Sequence, residues 1–286
     1  MSNQARPGCL YVVATPIGNL QDISARALAV LAEVHVVAAE DTRHTRKLLQ
    51  HFGIDTPMLA LHDHNEDVQA PQLVERLRAG QRIALVSDAG TPLISDPGFP
   101  LVRACREAGV AVIPVPGASA LISALSVAGL PTDRFRFEGF LPRKSQARRE
   151  LLQTLADETA TLVFYESSHR VVDALQDMCG VFGPTRYAVL ARELTKLHET
   201  VLSGPLEDVL ETVQADENQR KGEFVLMLAG APPQQPDHSA ELDRCLKLLL
   251  EELPVKQAAG LAARLVGIKK NQAYQRALEL RTGERQ

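Results

Sequence analysis

The chain has 286 residues, 45% hydrophobic and 4% aromatic with no Trp, and its 31 Lys/Arg against 35 Asp/Glu leave a formal charge of -4. Such a length and apolar content support a buried core in two domains plus a small appendage rather than a disordered tail, while the net charge gives no whole-chain electrostatic argument for nucleic acid, so an RNA site has to be local. Four scattered cysteines (Cys9, Cys105, Cys179, Cys245) without a CxxC pair exclude a zinc ribbon or redox motif, no apolar run reaches the roughly 20 residues that cross a bilayer, and the start MSNQARPG lacks a signal-peptide core, so a cytoplasmic protein with reduced thiols is expected.

In chain order, short β-branched runs at 10–14, 34–38, 58–61, 83–86 and 110–115 each precede a loop and an amphipathic stretch, the pattern of α/β architecture. The runs are continuous rather than alternating, as strands covered by helices on both faces should be. Between the first two, Ala27, Leu28, Leu31 and Val34 recur at helical spacing, with Asp22 as the expected N-cap. Around 130–141 the sequence becomes GLPTDRFRFEGFL, rich in Gly and Pro, and a domain boundary is expected there. Strands at 162–165, 187–191, 199–202 and 224–228 then lie closer together, which suggests an antiparallel or mixed sheet. The run GAPPQQPDHS, residues 230–239, reads as a linker. Three helices are expected after it, at 241–252, 255–265 and 271–281. Residues 240–286 carry nine Lys/Arg against six Asp/Glu, a net +3, where the rest of the chain carries -7. The expected organisation is an α/β domain over 1–130, a second over 131–230, and a helical extension over 240–286.

The polar motifs sit where parallel sheets place ligands, beyond the carboxyl ends of strands. TPIGNL (15–20) follows the first run. SDAGTPLISDPG (87–98) follows the fourth, and few plain connections need two Asp, two Gly and two Pro in twelve positions. PGASA (116–120) follows the fifth and opens a helix at Ser119. AEDTRHT (39–45) places Glu40, Asp41, Arg43 and His44 at the same rim, and HDHN (62–65) adds His62 and His64. An HxH pair without further ligands in register reads as a hydrogen-bonded loop, so no metal is expected. FYESSHR (164–170) and ARELTKLHE (191–199) crowd polar residues behind later strands, and RKSQARR (143–149) offers four cations, Arg143, Lys144, Arg148 and Arg149, with no acid between them.

Taken together, TPIGNLQD, AAEDTRHT, LHDHNE, LVSDAGTPLISDPG, GLPTDRF, EGFLPRK, FYESSHR, ARELTKLHE and KGEFVL resemble the ribosomal RNA small subunit methyltransferase I family, a branch of the tetrapyrrole methylases, over nearly the whole chain. The resemblance implies a tetrapyrrole-methylase (class III methyltransferase) fold of two α/β domains with a cofactor cleft. It also implies transfer of methyl from S-adenosyl-L-methionine to the 2'-hydroxyl of the cytidine at position 1402 of 16S rRNA, in the assembled small ribosomal subunit. On matching positions, Pro16, Asp88, Ala89, Gly90, Thr91, Ser119 and Ala120 would line the cofactor from the first domain. Phe164, Tyr165, Ala191, Arg192 and the strand carrying Glu223 and Leu226 would close it from the second. Family members generally dimerise. The tail resembles a helix-turn-helix-like extension, with Lys256, Arg264, Lys269, Lys270 and Arg276 toward RNA alongside Arg43 and the 143–149 cations. The hydroxyl must lose its proton as the carbon–oxygen bond forms, and Glu40, Asp41, His62, His64 and Glu166 are the carboxylates and imidazoles available, with no choice among them in the sequence. A ring-methylating enzyme of the same fold and a non-catalytic ribosome-assembly factor are the rival readings.

Overall fold

The computed structural model describes residues 8–232 and 239–283. Contacts divide the chain into a body up to Ala231 and a smaller unit from Pro232. Among the described residues no helix is long and apolar enough to cross a membrane.

The first half of the body is a parallel sheet of β1 (Cys9–Val13), β2 (Val36–Ala39), β3 (Met58–Ala60), β4 (Arg82–Val86) and β5 (Ala111–Val115), in the order β3-β2-β4-β1-β5. Helices α1 (Ala25–Glu33), α2 (Thr42–His51), α3 (Glu66–Arg78) and α4 (Phe99–Glu107) connect its strands, and α5 (Ala120–Val127) follows β5. Both faces of this sheet are apolar for a visible reason. Leu10, Val36, Ala38, Ile83 and Leu85 pack on Leu73, Leu77 and Leu101 of α3 and α4, while the alternate residues Val13, Val37, Ala39, Ala84 and Val86 pack on Ala27, Leu31 and Leu49 of α1 and α2. Helix α1 starts later than expected. Ser24 is its N-cap, accepting from the Ala27 N–H at 3.1 Å, and Asp22 lies instead in a 3-10 turn capped by Asn19.

The second half contains β6 (Phe135–Phe140), α6 (Ser145–Thr154), β7 (Thr161–Ser167), α7 (Val171–Phe182), β8 (Tyr187–Arg192), β9 (Thr200–Pro205), α8 (Leu206–Ala215) and β10 (Glu223–Leu228). The sheet order is β6-β7-β10-β8-β9, with β6 parallel to β7 and the remaining pairs antiparallel, so the sheet is mixed. Segment 130–141, expected as a boundary, contains the edge strand β6, whose register shifts between Phe137 and Phe140. One face of the sheet buries Leu162, Phe164, Leu190, Leu226 and Leu228 under α6, α7 and α8. The opposite face sets Val163, Val189, Ala191, Val225 and Met227 against Leu121, Ala124 and Leu125 of α5 and against Ile17. Helix α5 therefore fastens the parallel half to the mixed half.

The smaller unit is three helices, α9 (Ser239–Glu252), α10 (Val255–Val266) and α11 (Lys270–Gly283). Leu242, Leu246, Ala259, Ala262, Ala263, Val266, Ala273 and Ala277 form a core of its own, joined by Leu249 and Leu250. The alanines of α10 and α11 let those helices approach closely, and Gly267 (φ 77°) ends α10 in a left-handed cap before the turn. Of the expected linker, residues 233–238 lie outside the described residues, as do 284–286 at the end of the expected extension.

Candidate functional site

Backbone hydrogen bonds assemble the site before any side chain does. The loop after β1 and the loop after β4 are joined reciprocally, the Thr15 N–H donating to the Gly90 carbonyl at 2.8 Å and the Gly90 N–H returning to Thr15 at 3.1 Å. Gly90 has φ +84°, which a side chain resists, and a Cβ there would stand 3.3 Å from Ile17 Cγ2. The Thr91 hydroxyl donates to the Ala118 carbonyl at 3.0 Å, adding the β5 loop to the pair. From the mixed sheet, Tyr165 Oη accepts the Leu121 N–H at 3.1 Å near the start of α5.

These contacts enclose a cavity of about 350 Å³, within the range of small-molecule sites. Of the residues expected at a cofactor, Asp88, Ala89, Gly90, Thr91, Ser119, Ala120, Tyr165, Ala191 and Glu223 line it. Phe164 and Leu226 do not. They pair across β7 and β10, and alternation sends both side chains into the core on the far face, leaving Tyr165 and Val225 toward the cavity. Arg192 is buried and committed to the Lys221 and His198 carbonyls at 2.7 and 2.9 Å, where it fixes the loop after β8. Pro16 borders an adjoining cavity.

The cavity is acidic on the parallel side. Glu40 accepts from the Asp88 N–H at 3.3 Å, and Asp88 accepts from the Asp41 N–H at 3.0 Å, so the two carboxylates hold each other's loops. Burial, together with the neighbouring Asp88, Asp63 and Asp41 charges, raises the Glu40 pKa against the opposing hydrogen bond from Asp88. Asp96, which the sequence reading did not single out, is pushed up to about 6, by burial first and then by the Glu40, Asp88 and Asp63 charges. Its sequence signal is its place in the 87–98 motif, and the structure adds backbone strain beside it. Among the described residues, the non-glycine positive-φ positions are Leu93, Ser95, Glu193 and Thr195, two in each of the loops that face one another here. Lys196, also missed, lines the cavity while bonded to Glu193 at 2.7 Å and Glu223 at 2.9 Å.

The five expected proton acceptors separate. Glu40 lines the cavity. Asp41 caps α2 and forms an ion pair with Arg43 at 2.7 Å, whose side chain is otherwise exposed. His62 and His64 stack edge to face before α3 and line neither cavity. Glu166 borders the cavity, but its carboxylate is buried, held by Arg170 at 2.7 Å and by the Ser167 N–H at 2.8 Å. Among the described residues no three His, Cys, Asp or Glu are grouped as metal ligands.

The expected RNA cations also divide. Arg148 is 2% exposed and pairs with Asp177 at 2.7 Å, pinning α6 to α7, so it is not presented to a phosphate. Arg143, Lys144 and Arg149 are exposed around it. In the three-helix unit Lys256, Arg264, Lys269 and Lys270 are exposed. Arg276 is instead clamped by Asp243, with two bonds of 2.7 Å, and by Glu279.

The chain matches the family model for tetrapyrrole (corrin/porphyrin) methylases over residues 9–210 and the model for the RsmI C-terminal HTH domain over residues 236–281. It is 58% identical over 272 residues to the ribosomal RNA small subunit methyltransferase I of Escherichia coli O157:H7, covering 95% of each. To the protein of that name from Pseudomonas aeruginosa it is 57% identical over 274 residues, covering 95% of this chain and 97% of the relative. Among solved structures, the methyltransferase CobJ aligns with a TM-score of 0.59 at 19% identity, over 78% of this chain and 95% of that one. Uroporphyrin-III C-methyltransferase from Thermus thermophilus, complexed with S-adenyl homocysteine, aligns at 0.53 and 20% identity, over 78% and 97%. At such identities the two structures speak for the fold alone.

Proposed function

The chain belongs to the ribosomal RNA small subunit methyltransferase I family of the tetrapyrrole methylases, and from that membership we propose that it transfers methyl from S-adenosyl-L-methionine to 16S rRNA in the assembled small subunit, at the ribose 2'-hydroxyl of a cytidine. The observation that carries this reading is identity above half along nearly the full length of both chains. The match over residues 236–281 favours it over ring methylation, since that unit is additional to the fold shared with the ring-methylating enzymes.

The cavity residues fit the cofactor on their own chemistry. Burial first, and the neighbouring carboxylates after it, raise the pKa of Glu40 and Asp96, and a cation relieves both; the cofactor is cationic at its sulfonium and amino group. When bound, it supplies an activated methyl group for in-line displacement. The Asp88–Thr91 backbone and Ser119 would position it from one side, with Tyr165, Ala191 and Val225 from the other. Of the five carboxylates and imidazoles, Glu40 is the one we assign as proton acceptor, because it lines the cavity with its carboxylate held only by the Asp88 N–H, whereas the Glu166 carboxylate is taken up by Arg170 and the Ser167 N–H. Exposed Arg143, Lys144, Arg149, Lys269 and Lys270 would place the protein on phosphate without performing chemistry. The protein would act in the cytoplasm as a homodimer. Exposed Ile122 and Val127 of α5 and Phe135 of the edge strand β6 are apolar surface available to a second copy.

The test offers labelled S-adenosylmethionine with 30S subunits, protein-free 16S rRNA or a porphyrinogen, and maps the modified nucleotide. Methylation of a ribose hydroxyl, faster on 30S subunits, is expected. Ring methylation would overturn the substrate, faster modification of naked RNA would overturn the assembled subunit, and cofactor-independent subunit binding without turnover would favour an assembly factor.

A further inference from the structure

Beside the cofactor cavity lies a second one of about 410 Å³, which shares Ile17, Asp88, Ala89, Lys196 and Glu223 with the first. Its partition depends on Gly18. A Cβ at that position would collide with the Lys196 side chain and stand 2.9 Å from Thr195 Oγ1, so only glycine lets the loop after β1 lie against the loop after β8. The Asn19 N–H closes the contact by donating to Thr195 Oγ1 at 3.2 Å.

The outer wall is one face of α2. His44, Lys47, Leu48 and His51 stand three, four and seven residues apart, a single helical stripe, and all four line the cavity. Thr45, which flanks this stripe and also lines the cavity, and Leu49 are buried. His44, Lys47 and His51 are exposed, and among the described residues none of the three side chains has a hydrogen bond or ion pair. Their neighbours differ in this respect, since Arg43 is held by Asp41 and Lys196 by Glu193 and Glu223. The two adjoining cavities share Asp88 and Glu223 but differ beyond them, the first adding the carboxylates Glu40 and Asp96 and the second uncommitted nitrogen donors along its edge. Pro16, Ile17, Leu20 and Leu48 provide apolar surface beneath those donors.

We propose that this second cavity receives the methyl-accepting nucleotide strand, with Lys47, His44 and His51 binding its phosphodiester and the apolar residues supporting the sugar. The inference rests on the reading of the protein as an RNA methyltransferase and adds where the acceptor enters. That difference is what separates the ligands: an anionic strand is disfavoured beside Glu40 and Asp96, which line only the first cavity, and a cationic cofactor gains nothing from the α2 stripe. The shared residues Asp88 and Ala89 are where the two ligands would meet.

The test uses the full chain with Lys47→Glu, His44→Gln/Lys47→Gln and, as a control elsewhere on the surface, Arg106→Glu on α4. Affinity for 30S subunits is measured at several salt concentrations in the presence of S-adenosylhomocysteine, alongside calorimetric affinity for S-adenosylhomocysteine alone. Loss of each phosphate contact should reduce the salt slope of log affinity by about 0.7, and Lys47→Glu should weaken subunit binding about tenfold at low salt. KM for the subunit should rise with kcat little changed, and S-adenosylhomocysteine affinity should stay within about twofold of wild type. Subunit affinity and salt slope matching the control variant would overturn the proposal, as would an equal loss of S-adenosylhomocysteine affinity. A wild type that binds no ribosomal RNA would instead overturn the methyltransferase reading and this inference with it.

Discussion

The parallel sheet gives the cleft its loops, whereas the mixed sheet gives it the face of its strands. Asp88, Gly90 and Asp96 stand beyond the end of β4, while Tyr165, Ala191 and Val225 project from within β7, β8 and β10. A loop contributes several consecutive residues to one ligand. A strand contributes every second residue and commits those between to the core behind it. Substitutions in the loop should therefore act on binding with limited effect on the fold, and substitutions on the strands should change character from one residue to the next.

The largest effect is expected at Phe164. Phe164→Ala should cost about 3–5 kcal/mol of stability because the side chain is fully buried in the far core. Chemical denaturation measures that cost, and the folded fraction should keep its affinity for S-adenosylhomocysteine. Lost affinity at unchanged stability would contradict the alternation.

Gly90→Val comes next. It places a β-branched residue at φ +84° with its Cβ close to Ile17, a strain on the order of 1–3 kcal/mol at the contact between two site loops. Calorimetry should show at least about a tenfold fall in S-adenosylhomocysteine affinity, the equivalent of about 1.4 kcal/mol. Wild-type affinity in a folded variant would remove this loop from the cofactor site.

The smallest effect is Asp96→Asn, and it depends on pH. Burial and neighbouring carboxylates raise the folded-state pKa to about 6, so the folded protein holds that proton more tightly than the unfolded chain does. Stability from this group is complete below the ordinary carboxylate range and is lost as pH rises through about 6. The ligand-free Asn variant should melt close to wild type near pH 4 and about 2 °C higher at pH 8, a difference near 1 kcal/mol once discounted for the solvent that reaches Asp96. A difference that shrinks toward pH 8 would have the wrong sign for this account.

The same contrast explains what the sequence made legible. Loop motifs are contiguous, so the unusual content of 87–98 pointed to residues that do line the cavity, and β-branched runs marked five parallel strands to within two residues at each end. Strand β6 was missed because FRFEGF is an edge strand with mostly half-buried or exposed residues, and Gly139 at φ +68° lies within its register shift. The side chains of Phe164, Leu226 and Arg148 lie away from the cavity and the surface for a related reason. Each lies in a polar or motif-rich string, and only register and helical phase reveal that its side chain turns inward. Lys196 was quoted within a motif without a role, because its partner Glu223 is 27 residues away and meets it through sheet pairing.

The reciprocal bond between Thr15 and Gly90 makes one mechanical piece of two loops that each border both cavities. The loop carrying Pro16 and Gly18 and the loop carrying Gly90 thus hold their positions through the same pair of backbone bonds. Loosening that bond is therefore expected to weaken binding at both cavities together, where a change to a side chain lining one of them would weaken that one alone.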